Sequence, residues 1–536
     1  MKILFTRLTS ISATLLVLAI GASSHAAAVE FPPAPAADAA PLSADETREF
    51  MKRLADFAVA NHMKRGDSPQ RGMMYEYFRP ASRGKVEQYM QGEALDTMHD
   101  GSWFALALVN AYRATGEAAY KETLVQELLP FYLKMLNHGD ELFTAEVNNC
   151  RPERRQVWTN SNEWLLQGRE KGFVPYFWDD GNCVSLEMRN RKQAMLDFPG
   201  FDHFTAEGKT NPEYRLNGYS LGSSNHLAQD LAVMLEGAWL LLRESSDEAE
   251  RKLAEEIAFG AKHLYECRLR HHGHIPAVDA AWGVISGDEK LLRNATDGSS
   301  PAWLKPKNHY TEAVRDFTPG KRYGTSAFAD DQQYLYYAAI ARSGGTLPKP
   351  LAFKLTFDAF TQPRLYVLYC DDEPRRPGLD RFDLHPYFFH DGKPLDVRSQ
   401  RKGPGGKPRP TGSRLGPQNM IVCGWGLQAL KQSPGLWDEA IGAQLKPRPT
   451  EAEVKVWLER ELGVGLRVWR DIFDAYGYIP TGIGAGGSGS GYPWEDYSDN
   501  GGYAHLISAA AQWLYCLDGR RDWEQHKVPL VLNAAK

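Results

Sequence analysis

Along five long stretches of the chain, apolar residues recur at intervals of three and four, with polar residues filling the gaps. In "SWFALALVNAYRATGEAAYKETLVQELLPFYLKML" (102–136) the period breaks only at Thr115, Gly116 and Glu117 and then resumes. That pattern predicts two helices joined by a tight turn, with Gly116 as the C-cap of the first. The same sentence returns in "HLAQDLAVMLEGAWLLLRESSDEAERKLAEEIAFGAKHLYECRL" (226–269) and "DQQYLYYAAIARSGGTLPKPLAFKLTFDAF" (331–360). It returns again in "IVCGWGLQALKQSPGLWDEAIGAQL" (421–445) and "YAHLISAAAQWLYCLDGRRDWEQHKVPLVL" (503–532). At least five helical hairpins are expected, each with a glycine-containing turn after its first helix.

Their spacing is irregular, whereas a solenoid would keep a fixed period. Strand-like runs are few, "RLYVLYC" (364–370) being the best, and no alternation of strand and helix suggests a parallel sheet. Irregular hairpins separated by long loops rich in Gly, Pro and aromatic residues predict an all-α fold. The specific expectation is an α/α toroid, complete or incomplete, in which inner and outer helices alternate around a ring. Its loops crowd one end and carry the site. No linker splits the chain, so residues 46–536 are expected to form one domain.

The first residues read differently. Lys2 and Arg7 precede the short apolar run "ISATLLVLAIGA" and then small residues, the pattern of a signal peptide spanning 1–26, cleaved after Ala26 or Ala28. The run is too short to span a bilayer comfortably, which predicts export to the periplasm or medium without stable membrane insertion. An Ala/Pro-rich lead-in without helical period follows over 27–45. The net charge of -5 offers no basic excess for nucleic acid. Six scattered cysteines without a CxxC are too sparse for a disulfide framework; Cys150 and Cys183 lie closest, and buried free thiols explain the set equally well. Aromatics, 11% of the chain, often fall in glycine-rich loops, where they suit stacking on sugar rings, although core packing accounts for any single one. Trp178 and Trp494, each beside acidic residues in such a loop, are the candidates for that role.

One seam carries most of the chemistry. "GYSLGSSNHLAQDLAVMLEGAWLLL" (218–242) turns from a polar loop into an apolar helix at Asn225-His226. An exported α/α toroid with this pair opening an inner helix resembles polysaccharide lyases of the alginate-lyase and heparinase-like kind. The resemblance implies β-elimination on a uronic-acid glycan, with Asn225 holding the carboxylate, His226 as base and a tyrosine as acid or base. Tyr219 is the nearest such tyrosine. The double asparagine common in those enzymes is missing, since Ser224 takes its first place. The proton at C5 is barely acidic while the neighbouring carboxylate is charged, so donors must neutralise it and an acid must meet the leaving oxygen. Ser223 or Ser224 would cap the helix and leave its positive end near the anion; Asn225 can equally be the cap itself.

Acidic motifs support a second reading. "FVPYFWDDGNCVSLE" (173–187), with Asp179 and Asp180, resembles the aromatic-carboxylate loops of six-hairpin glycosidases. Hydrolysis needs a second carboxylate at about 5–9 Å. Asp100, just before a predicted inner helix, or Glu495 and Asp496 would serve, while Asp100 also suits an N-cap and Asp179-Asp180-Gly181 a polar turn. In "ECRLRHHGHIP" (266–276), Arg268, Arg270, His271, His272 and His274 are expected just after a helix, where the basic cluster suits an anionic substrate or simply complements the helix dipole. The histidine spacing fits no zinc motif, so no metal and no cofactor is expected. Arg322 and Tyr323, before another inner helix, are a further carboxylate clamp and acid, and the basic loop 401–414 could guide a polyanion. "GIGAGG" (482–487) lacks the flanking strand and helix of a dinucleotide site. The expectation is a lyase on an anionic polysaccharide or oligosaccharide, with a glycoside hydrolase and a non-catalytic glycan binder as the alternatives.

Overall fold

The computed structural model describes residues 39–66, 71–75, 77–78, 97–137, 172, 225–274, 276–296, 352, 356, 359, 389–390, 393–394, 415–438, 450–479 and 498–518. They are mostly helical: α1 (Ala44–Asn61), α2 (Thr97–Thr115), α3 (Ala118–Thr123), a π-helical turn (Leu124–Leu128), α4 (Leu129–Asn137), α5 (Asn225–Leu242) and α6 (Glu248–His272). There follow α7 (Pro276–Ser286), α8 (Glu289–Thr296), α9 (Leu415–Gln432), α10 (Glu451–Tyr476) and α11 (Asn500–Leu517). Two minimal hairpins complete them, β1 (Tyr77–Phe78) with β4 (Ser498–Asp499) and β2 (Phe389–His390) with β3 (Lys393–Pro394), both antiparallel.

The helices form two layers with opposite burial. In α2 every residue from Gly101 to Ala111 is buried, as is every residue from Asp230 to Ala238 in α5 and from Asn500 to Tyr515 in α11. Helices apolar all round belong between other helices. These inner helices pack side by side in the order α9, α11, α2, α5, α7. Outside them, α1 buries only Thr47, Phe50, Met51, Leu54, Ala55 and Ala58, one face of a helix. The outer helices α10, α1, α3–α4 and α6 follow one another around the back, joined by Arg470–Glu46 (3.1 Å), Lys52–Glu117 (2.6 Å) and Lys121–Glu250 (2.7 Å) ion pairs.

Contacts at two heights give the directions. Trp103 meets His505 (4.9 Å between rings) and Asn110 donates to Ser508 (3.3 Å), so α2 and α11 run the same way. Phe57 stacks on Tyr503 (5.2 Å) while the Trp513 indole donates to the Leu42 carbonyl (2.8 Å), so α1 runs against α11. The α10 helix also opposes α11, with Gly463 against Trp513 and Phe473 against Tyr503. The layers therefore have distinct ends. Short turns at Gly116, 243–247 and Gly287 lie at one end. The segments 79–96, 138–224 and 480–497 enter at the other, where inner helices begin and outer helices finish.

Several expectations need adjusting. Gly116 has the positive φ (76°) of a helix C-cap, as its turn requires. The turn of the second hairpin has no glycine: Ser245 accepts from the Asp247 N–H (3.1 Å), and Asp247 caps α6 by accepting from Ala249 N–H (2.8 Å). Helix α1 begins inside the expected lead-in, because Ser43 and Glu46 form a capping box and Leu42 is buried. A second capping box, Thr450 with Glu453, starts α10, and α7 with α8 makes a hairpin of its own; neither was expected. The second helix of 331–360 appears only as helical Ala352, Thr356 and Ala359, and 364–370 lies outside the described residues. Cys267, Cys423 and Cys516 are free thiols; Cys150, Cys183 and Cys370 lie outside the described residues. Among the described residues no helix is long and apolar enough to cross a membrane.

Candidate active site

The end that receives the long segments holds a concentration of buried polar side chains. His62, just past α1, places Nδ1 2.9 Å from the Tyr75 carbonyl and Nε2 2.9 Å from Ser498 Oγ. Ser498 Oγ lies 3.1 Å from the Tyr503 hydroxyl, which accepts from Ile479 N–H (2.8 Å). Burial holds the Tyr503 phenol well above its usual range. A serine against a histidine invites a nucleophilic reading, but His62, Ser498 and Tyr503 have no exposed surface. Their geometry ties the end of α1 and Ile479 to the start of α11, since Asp499 N–H also donates to the Ile479 carbonyl (3.0 Å).

At the same end, α6 passes into α7. Asp279, in the first turn of α7, is buried, and both its oxygens lie 3.1 Å from Nδ1 of the exposed His274. Burial raises the Asp279 carboxyl above the usual carboxylate range; hydrogen bonds from His274 and Tyr265 and the Arg268 charge pull the other way. Tyr265 is pushed up to about 12, first by burial and then by the Asp279 charge, and its ring stacks on Trp282 (6.0 Å, 22°). Burial lowers the Arg268 guanidinium to about 10. A carboxylate, a phenol, a guanidinium and an imidazole thus share one site. An acid–base function is within their chemistry.

Around this cluster the expected residues distribute unevenly. Asn225 and His226 open α5, the inner helix packed between α2 and α7. Asp100 lies inside the first turn of α2, not before it: the helix begins at Thr97, and an acidic residue suits that turn. The helix runs on through Gly101, where a side chain would meet the Tyr132 hydroxyl. Likewise α6 continues through His271 and His272, which occupy its last turn instead of following it. Arg270 is exposed, whereas Arg268 is buried beside Asp279. Asp100, Asn225, His226 and the Asp279 cluster therefore sit on three consecutive inner helices at one end. Tyr219, Arg322, Tyr323, Asp179, Asp180, Trp178 and Trp494 lie outside the described residues, as do Glu495, Asp496 and 401–414.

Tyr265 and Asp279 escaped the sequence reading, and His274 entered it only as one of three close histidines, not as the partner of a buried acid. Their signal was a histidine just past the helix-ending Gly273 and an acid three residues after Pro276, which marks a helix start. Among the described residues no group of His, Cys, Asp and Glu side chains could hold a metal. Comparison with family models, curated proteins and solved structures returns no match.

Proposed function

We propose that this chain is an exported polysaccharide lyase built on an α/α toroid, cleaving a uronic-acid glycan by β-elimination at the end where its inner helices begin. The toroid reading draws on the alternation of direction. Inner α2, α5, α7, α9 and α11 pair with outer α3–α4, α6, α8, α10 and α1, and 331–360 would contribute a sixth pair. The first helix backs the last, as closing a ring requires.

The observation that carries the reaction is the opening of α5 by Asn225 and His226, between the helix holding Asp100 and the helix holding Asp279. A helix N-terminus favours an anion, so a uronate carboxylate fits there, with the amide as donor and the imidazole as base at C5. Asp100 on the neighbouring helix favours a second reading, a glycoside hydrolase in which it is one of two carboxylates. Incubation with alginate, glucuronan, chondroitin and heparan panels, followed by ultraviolet absorbance, separates the two. The lyase gives an unsaturated uronate, and His226→Ala lowers the rate by about a hundredfold or more. New reducing ends without absorbance would transfer the chemistry to the carboxylates.

A further inference from the structure

We propose that His274 and Asp279 form a proton-donating dyad at the end where the inner helices begin: His274 protonates the departing sugar oxygen, and Asp279 positions it. The inference rests on the lyase reading above and adds the acid that reading requires.

The geometry is asymmetric in an informative way. The His274 side chain is 63% exposed and that of Asp279 only 7%, and both carboxylate oxygens lie 3.1 Å from the same ring nitrogen. Burying a carboxylate is unfavourable unless its partners repay the lost hydration. Here Tyr265 donates to it and the Arg268 charge faces it, so two residues of α6 hold in place the group that orients His274. Pinning a helix junction would not need this arrangement, since a serine or asparagine cap does that work without burying a charge. With Nδ1–H held by the carboxylate, Nε2 is the nitrogen left for a ligand. The carboxylate also balances the charge the ring carries when both nitrogens hold protons.

His274 lies at the entry to α7, and α7 packs on α5, whose first residues are Asn225 and His226. In the elimination, His226 takes the C5 proton and the C5–H electron pair becomes the C4–C5 double bond. The C4–O bond breaks, and the leaving oxygen takes the proton from Nε2 of His274. His226 then releases one proton to water and His274 regains one, so no oxidant or further reactant is consumed.

The test varies the leaving group. A natural glycan expels a sugar alkoxide that needs a proton; a synthetic uronate carrying 4-nitrophenol at C4 expels a phenolate that does not. His274→Gln should lower kcat on the glycan by about a hundredfold and on the nitrophenyl ether by less than about threefold. Asp279→Asn should show the same selectivity with a smaller loss, and His226→Ala should lose both substrates. Circular dichroism melts check that the variants fold, and the 15N shifts of His274 in the wild type should report Nδ1 as the hydrogen-bonded N–H. Equal losses on both substrates, or none, would overturn the dyad while leaving β-elimination in place. A wild type that forms no unsaturated product from any uronate would overturn the lyase reading, and the acid role with it.

Discussion

The two ends of the helical layers solve different problems. At the turn end, α2 reaches α3 through Gly116, and α5 reaches α6 through a capped five-residue link, 243–247. Its connections carry exposed caps such as Asp247 and surface pairs such as Lys52–Glu117. At the opposite end several polar groups are buried, among them His62, Ser498, Asp499, Asn500, Arg268 and Asp279. The same helices connect both ends, so the contrast does not come from the fold alone. It shows that the short links are held by local caps, whereas the end that receives the long segments also buries His62, Arg268 and Asp279 close to the helix ends.

That contrast can be broken at several points. The largest effect is expected at Gly101, where a Cβ would stand 1.5 Å from the Tyr132 hydroxyl. Gly101→Ala should destabilise the protein by about 3 kcal/mol in urea unfolding, and adding Tyr132→Phe should recover part of it. Tyr503→Phe removes the hydroxyl that joins Ser498 to the Ile479 N–H and leaves both buried groups short of a partner. A loss of about 2 kcal/mol is expected, with faster amide exchange at Ile479. At the turn end, Asp247→Ala deletes one cap and should lower stability by about 1 kcal/mol without changing activity.

The smallest and most informative effect concerns Asp279. Its folded pKa lies above its unfolded value, so the folded state holds the proton more tightly. Its contribution to stability is therefore greatest below the unfolded pKa and declines as pH rises through the folded one. Asp279→Asn removes that decline: its melting temperature relative to wild type should rise from acid to neutral pH while activity falls. A difference in melting temperature that does not change with pH would mean that the carboxylate carries no such burden.

Much of the helical layout was legible in the chain, because periods of three and four survive in any amphipathic or buried helix. The Gly116 turn was legible too, since only a residue tolerant of positive φ ends a helix that way. Helix α10 carries Thr450, Glu453 and Gly477 as start and stop signals, yet its many buried residues follow from neighbours distant in sequence. Direction within a hairpin follows from its tight turn, but the packing of the first helix against the last cannot be read locally: it emerges when Phe57 meets Tyr503 and Leu42 meets Trp513. The site divides similarly. Asn225-His226 stands out because polar chemistry abuts an apolar run, whereas Asp279 looks like an ordinary first-turn acid until α5 and α6 bury it.

The most direct test of the account is hydrogen–deuterium exchange with and without a uronic-acid oligosaccharide that the protein binds. The account predicts protection at the starts of α5, α7 and α11, around 225–230, 274–280 and 498–505, with no change at 115–118 or 243–248. Protection confined to the turn end, with none at His226 or His274, would contradict it.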